Sequence, residues 1–210
     1  MRRQIINAMT WTERPQTNEQ APLVLHLHPA VEMTPERFFQ ICQLNPDLHL
    51  ERTATGELLI MPPTGSQTGG RNFRLLGQLY TWIEQTGTGI GFDSSTGFTL
   101  PNGAIVSPDA AYVDLERWNS LNPEQQEQFA PLAPDFVVEL RSSSDSLKPL
   151  QDKMQQYIDN GVQLGWLIDR KHCQVYIYRP EQPVECLNHP TTVSGEPILP
   201  GFRLNLTQIW

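Results

Sequence analysis

The chain has 210 residues, of which 39% are hydrophobic and 18% charged, and its formal net charge is −8 at pH 7. This length predicts one domain with a short appendage, and the composition excludes disordered and fibrous proteins. The excess of 23 acidic over 15 basic residues argues against a protein that coats nucleic acid through many phosphate contacts.

The N-terminal region is predicted to be an arm. Residues 1–33 are rich in Thr, Gln, Asn and Pro and contain one short apolar stretch, Leu23–Leu27. We interpret them as an arm that packs on the body or on a partner subunit, and residues 34–210 as the domain itself. The first helix of that domain is predicted to begin after Thr34, a favoured N-cap that precedes a proline, and to end at Asn45 before Pro46.

The following segments predict a hairpin, a helix and two strands. Residues 48–51 and 57–61 are joined around Thr55-Gly56 and are typical of a β-hairpin. Residues 70–86 predict a helix, and its apolar side is expected to hold Phe73, Leu76, Leu79, Tyr80 and Ile83. The segment 92–112 predicts two strands joined by a turn at 101–103.

The second half of the domain has the clearest strand and helix patterns. Residues 135–140 are the most strand-like run in the chain. Residues 142–145 offer N-caps for a helix that ends at Asn160-Gly161, and 165–169 with 173–178 predict a second hairpin. This order predicts an α/β (α+β mixed) fold with a central mixed sheet flanked by helices.

Two acidic residues lie in apolar surroundings. Asp109 follows Ser107-Pro108 inside an otherwise apolar stretch, and Glu139 ends the run Phe136–Val138. A buried carboxylate is unfavourable unless it is paired or binds a metal. One such acid alone is more often a cap or loop residue, whereas two on successive strands favour a functional site.

Two basic residues that follow Glu139 are candidates for the cation beside these acids. The side-chain period of two in a strand places Arg141 on the same face as Glu139. On the next helix, Lys153 lies along the apolar stripe between Leu150 and Tyr157. The spacing alone allows Lys153 either to point into a site or to extend along the edge of the stripe.

These motifs together resemble the Uma2 family of bacterial endonucleases in the restriction-endonuclease-like PD-(D/E)XK superfamily. The resemblance begins at about Met33 and rests on the order and spacing of Ser107-Pro108-Asp109, Pro134–Leu140, Ser144-Asp145, Lys153-Met154-x-x-Tyr157, Gly161-Val162 and Gly165–Asp169. It implies a restriction-endonuclease-like fold that hydrolyses phosphodiester bonds in DNA. Asp109 and Glu139 would then hold Mg²⁺ or Mn²⁺.

The resemblance also implies roles for three further residues. Lys153 would supply the catalytic lysine from the helix, because Arg141 occupies the strand position where related sites have lysine. Arginine stays protonated and is a poor base, so Arg141 could instead clamp a phosphate oxygen. Glu51 matches the N-terminal acidic position of the family.

Other interpretations remain open from the sequence. A non-catalytic module that binds nucleic acid or protein on a nuclease fold is the main alternative to the enzyme. Arg71 and Arg74 could meet phosphates at a helix N-terminus or simply lie on a solvated face. The pairs His26-x-His28 and Cys186-x-x-His189 are too far apart in sequence to favour structural zinc.

The sequence also leads to expectations about location and assembly. No apolar run approaches the roughly 20 residues of a membrane span, and no apolar stretch of a secretory signal follows the basic start. Three widely spaced cysteines fit reduced thiols, so we expect a cytoplasmic protein with no membrane partner. We also expect a homodimer, because two copies would contact two DNA strands, with Leu23–Leu27 as a candidate contact.

Overall fold

The computed structural model describes residues 22–210. Its helices within that range are α1 Pro35–Leu44, α2 Ser66–Thr86, α3 Leu115–Asn119, α4 Pro123–Glu127 and α5 Leu147–Asp159. Its strands are β1 Leu23–Leu25, β2 His49–Arg52, β3 Leu58–Met61, β4 Gly89–Asp93, β5 Phe98–Thr99, β6 Ile105–Val106, β7 Ala110–Asp114, β8 Phe136–Leu140, β9 Leu164–Asp169, β10 Gln174–Tyr178, β11 Glu185–Asn188, β12 Thr192–Ser194 and β13 Arg203–Asn205. No helix in this range is both long enough and apolar enough to cross a membrane.

Six strands form the central sheet in the order β11-β10-β9-β8-β7-β4. β8 and β9 are parallel, and the other neighbouring pairs are antiparallel. Helix α5 packs on one face through Met154 and Tyr157, while α2 packs on the other through Leu75 and Leu79. The predicted mixed sheet flanked by helices is therefore present.

A smaller antiparallel sheet has the order β1-β3-β2-β6-β5 and adjoins the central sheet. Strand β1 belongs to the predicted arm and pairs with β3, and Met33 is buried in the core beneath this sheet. The described part of the arm thus packs on the body, whereas residues 1–21 of the arm lie outside the described residues. The predicted hairpin of β2 and β3 is observed, and it carries Glu51.

The sequence predicts the ends of α1 and α2 better than it predicts which side of α2 is buried. Thr34 caps α1 as expected, since its side chain accepts a hydrogen bond from the backbone N–H of Arg37. Helix α2 ends at Gly87, whose φ of 63° lies in the left-handed region that glycine favours, but it begins four residues before the predicted start. Phe73 and Tyr80 are exposed, contrary to the predicted apolar side. Apolar residues occur around much of this helix, and packing decides which of them are buried.

The segment 92–112 differs most from its prediction. It contains four strands rather than two, because the chain leaves the central sheet after β4, forms β5 and β6 in the smaller sheet, and returns as β7. The predicted turn is present between β5 and β6, where Gly103 donates its N–H to the carbonyl of Leu100. Apolar runs predict strands, but they do not show which sheet a short strand joins.

Strand β8 and helix α5 bring the central chemistry together. The side chains of β8 alternate between two cores, with Val138 and Leu140 on the α2 face and Val137 on the α5 face. The N-cap of α5 is Ser146, just after the predicted candidates, and its C-cap is Asn160 as predicted. One face of β8 therefore packs against α5, and Glu139 on that face lies next to Lys153.

Candidate functional site

Three acidic side chains from separate segments surround one lysine. Glu51 lies on β2 of the smaller sheet and Glu139 on β8 of the central sheet, and Asp109 immediately precedes β7. Lys153 reaches them from α5. The structure thus brings together the sequence-predicted residues Asp109, Glu139 and Lys153, and Glu51 lies within the same group.

The ammonium of Lys153 bridges two buried carboxylates. Its Nζ lies 2.8 Å from Oε1 of Glu51 and 2.9 Å from Oε1 of Glu139. The exposed fractions of the side chains are 17% for the lysine and 4% and 6% for the two glutamates. The lysine therefore points into the site, and the alternative position along the edge of the stripe is not the one observed.

Backbone and hydroxyl groups hold the acids in place. Oε1 of Glu51 accepts the N–H of Ser107 at 2.9 Å, and Oδ2 of Asp109 accepts the N–H of Leu140 at 2.7 Å. The hydroxyl of Tyr157, one turn after Lys153 on α5, donates to Oε1 of Glu139 at 2.9 Å. Each carboxylate is thus fixed through one oxygen by a neighbouring element.

The electrostatics of the group follow from burial and from an excess of acids. Burial, together with the charges of Asp109 and Glu51, raises the pKa of Glu139 to about 7, although the charge of Lys153 acts in the opposite direction. Burial also raises the pKa of Asp109, to about 6. Its side chain is half-buried and keeps some contact with solvent. Burial alone would lower the pKa of Lys153, but Glu139 and Glu51 outweigh it and hold that pKa well above its usual value. One fixed positive charge therefore faces three acids, so the group has a deficit of cations.

The donor chemistry fits a hard divalent cation. One oxygen of each acid accepts no hydrogen bond within residues 22–210 and is not sealed from solvent: Oε2 of Glu51, Oδ1 of Asp109 and Oε2 of Glu139. Carboxylate oxygens are the ligands that Mg²⁺ and Mn²⁺ prefer. In the described part of the chain, however, no three acidic, histidine or cysteine side chains form a ready-made metal cage. Mg²⁺ commonly uses only one or two carboxylates together with waters and substrate phosphates, so the free oxygens suffice.

Arg141 directly follows β8 but does not join the group. Its guanidinium Nη1 is 2.9 Å from Oδ2 of Asp169, its Nε donates to the carbonyl of Asp145, and its side chain is 6% exposed. Parallel pairing of β8 with β9 sets Arg141 beside Asp169, and this buried ion pair engages the guanidinium. The cation beside the acids is Lys153.

Two residues near the group were missing from the predicted site. Tyr157 was assigned to the apolar stripe of α5, yet its hydroxyl contacts Glu139. His49 lies two residues before Glu51 on β2, where burial and the charge of Lys153 lower its pKa and the charge of Glu51 raises it. The period of two in β2 would have placed His49 on the same face as Glu51 and was the available signal.

Comparisons with known proteins identify the fold and the family of the chain. The chain resembles the crystal structure of a putative nuclease belonging to DUF820 from Anabaena variabilis, with a TM-score of 0.70 at 20% sequence identity over 84% of this chain and 96% of that one. The likeness shows that the chain has the fold of that protein. No curated protein matches the sequence.

The family model of Uma2, described as putative restriction endonuclease, matches residues 35–207. The matched region begins with α1, ends in the last turn of the chain, and includes every residue of the candidate site. The description of this family supports a nuclease function. Because the match extends over well more than half of the sequence, the protein belongs to the Uma2 family.

Proposed function

We propose that the protein is a metal-dependent endonuclease that hydrolyses phosphodiester bonds in DNA. The observation that carries the proposal is the convergence of three acids, each with a free oxygen, on one lysine that is only 17% exposed. Such a group has the charge to attract a divalent cation and a cation of its own to meet a phosphate. Membership of the Uma2 family supports the same reaction class.

Each residue has a role that follows from its contacts. Asp109 and Glu139 would hold Mg²⁺ or Mn²⁺, which when bound would polarise the scissile phosphate and favour deprotonation of an attacking water. Lys153 would stabilise the negative charge that develops on the phosphate as the new P–O bond forms and the old one breaks. Glu51 orients the lysine, and the hydroxyl of Tyr157 orients Glu139.

The test combines metal binding with DNA cleavage. Titration of the protein with Mn²⁺ by calorimetry measures binding, and conversion of supercoiled plasmid to nicked or linear DNA measures cleavage. Asp109→Asn and Glu139→Gln should lose metal binding and cleavage together. Glu84→Gln is the matched control, because it neutralises an exposed acid near the far end of α2 and should change neither.

Two results would contradict the proposal. Wild-type protein that binds neither Mg²⁺ nor Mn²⁺ and leaves plasmid intact would exclude the enzyme. Cleavage that survives both Asp109→Asn and Glu139→Gln would place the reaction elsewhere in the chain.

The alternative is a non-catalytic module that binds nucleic acid or protein on a nuclease fold. The specific observation in its favour is that Lys153 already pairs with Glu51 and Glu139, while no ready-made metal cage exists within residues 22–210. DNA binding without metal binding in the same titration would favour it.

We place the protein in the cytoplasm. The three cysteines, all within the described residues, are free thiols, which suits a reducing compartment.

A further inference from the structure

Three arginines gather on the opposite side of the central sheet from α5. Arg71 and Arg74 lie three residues apart on α2 and so share one face of that helix. Arg170 follows β9 directly. Burial lowers the pKa of Arg71, and the charges of Arg170 and Arg74 lower it further, so both of these arginines lie within electrostatic range of Arg71.

These three arginines, here named the arginine cluster, have no acidic partner among residues 22–210. None of them forms an ion pair within residues 22–210. The single hydrogen bond from their side chains in that range runs from Nη1 of Arg74 to the carbonyl of Gln208 at 3.2 Å. A concentration of unpaired positive charge is unusual in a chain whose net charge is −8 and indicates an anionic ligand.

The guanidinium of Arg71 is held by packing rather than by an acceptor. Its Nη1 is enclosed and has no hydrogen-bond partner in the described structure. Its Nε and Nη2 also lack an acceptor there but are not enclosed. Enclosed donors are normally satisfied, so a half-buried arginine without any acceptor is an unusual feature, and its open donors are arranged to receive an oxyanion.

The arginine cluster adjoins the candidate site. Asn72, next to Arg71, donates from Nδ2 to the backbone carbonyl of Asp109 at 3.2 Å. Asp169, next to Arg170, pairs with Arg141, which directly follows β8 and lies two residues after Glu139. The first turns of α2 and the end of β9 therefore lie beside the acids, at the same edge of the sheet.

We propose that the arginine cluster binds the phosphate backbone of the nucleic acid that the candidate site cleaves. This inference rests on the proposed function for the identity of the ligand. A DNA strand that passes across the carboxyl ends of β8 and β9 would place some of its phosphates against the arginine cluster on the α2 side. Its scissile phosphate would then lie among the acids on the α5 side. The local cluster also explains how an acidic protein holds a polyanion without an overall positive charge.

Binding is measured without cleavage, in EDTA, by fluorescence anisotropy of a short labelled DNA duplex over a range of salt concentrations. Each lost phosphate contact should make the slope of log K against log[salt] shallower by about 0.9. The double variant Arg71→Gln/Arg170→Gln should therefore flatten the slope by roughly 2, with a large loss of affinity at low salt. Arg179→Gln is the matched control, because it removes one positive charge at the opposite end of β9 and should leave the slope unchanged.

The variants should fold, since they remove unpaired charges that repel one another. Thermal unfolding checks this, and the expected midpoint equals or exceeds that of the wild type. If the double variant does not fold, Arg170→Gln alone carries the test, with a slope shallower by about 0.9.

The outcomes separate this inference from the proposed function. Equal slopes for the wild type and the arginine variants would overturn the inference, even if metal-dependent cleavage is found. Cluster-dependent duplex binding without any cleavage would uphold the binding site while refuting the enzyme. Binding of polyglutamate through the same arginines, without binding of the duplex, would show that the partner is an acidic protein and would overturn the assignment to nucleic acid.

Discussion

Replacement of Lys153 by methionine tests the electrostatic design of the site. Methionine keeps much of the length of the side chain and is a good helix former, so helix propensity should not limit the variant. The sequence alone would predict little effect on the fold. The structure predicts a substantial loss of stability, because the ammonium is the cation that contacts two buried carboxylates.

The magnitude follows from the two contacts of Nζ with Glu51 and Glu139. At 2.8 and 2.9 Å and an effective dielectric constant of about 20, each attraction is about 6 kcal/mol before desolvation is subtracted. Removing one partner of a buried ion pair typically destabilises a protein by about 3–5 kcal/mol. We expect Lys153→Met to lower the free energy of unfolding by about that amount at pH 8.

The loss should shrink as the pH falls. The pKa of Glu139 is raised by burial from an ordinary value of 4.5 to about 7 in the folded protein, and loss of the lysine raises it further. A carboxyl whose pKa is raised on folding binds its proton more tightly in the folded state, so its contribution is fully present below pH 4.5 and is lost as the pH rises through about 7. Below this range Glu139 is neutral and no longer needs the cation, so its part of the loss disappears and the part that comes from the contact with Glu51 remains.

Urea unfolding at pH 5.5, 7 and 8.5 measures this effect. Lys148→Met is the matched control on the same helix, because Lys148 pairs with Asp152 at the surface, where the two side chains are 77% and 62% exposed. An exposed pair of this kind contributes about 0.5 kcal/mol or less. If Lys153→Met is no more destabilising than Lys148→Met at pH 8.5, the buried ion pairs do not hold the site together and the reasoning is wrong.

Three further predictions concern the metal, the neighbouring ion pair and assembly. Binding of Mg²⁺ at about pH 6 should release protons, because the pKa values of Asp109 and Glu139 are about 6 and about 7. Calorimetry in two buffers of different ionisation enthalpy should therefore give different apparent heats of binding. Identical heats would show that no proton is released. Arg141→Met should lower the free energy of unfolding by about 3 kcal/mol, as measured by urea unfolding, because the buried Asp169 loses its arginine and keeps its contacts with His172 and the N–H of Lys171 among the described residues. Arg141→Met/Asp169→Leu should recover part of that loss. The protein should be a homodimer by light scattering at tens of micromolar, roughly the concentration at which a working dimer should persist. The partly exposed edge strand Leu23–Leu25 is the expected contact between the subunits. A monomer at this concentration would count against the dimer.

Local sequence signals determined most of the elements around the site. A threonine before a proline fixed the start of α1, and Gly87 fixed the end of α2, because these residues suit cap conformations whatever surrounds them. The alternation in Phe136–Leu140 determined that strand β8 has two different faces, as the two cores confirm. The spacing on α5 placed Lys153 on the buried side of its helix.

Tertiary structure decided which of the charged residues meet. Arg141 and Lys153 were both candidates for the cation beside Glu139, and parallel pairing of β8 with β9 directs the arginine to Asp169 instead. Glu51 enters the group only because the smaller sheet docks against the central one, and no local pattern in β2 encodes that contact. Periodicity fixes the face on which a side chain lies, whereas its partner depends on how distant segments pack, and for Lys153 that packing supplied the two buried carboxylates.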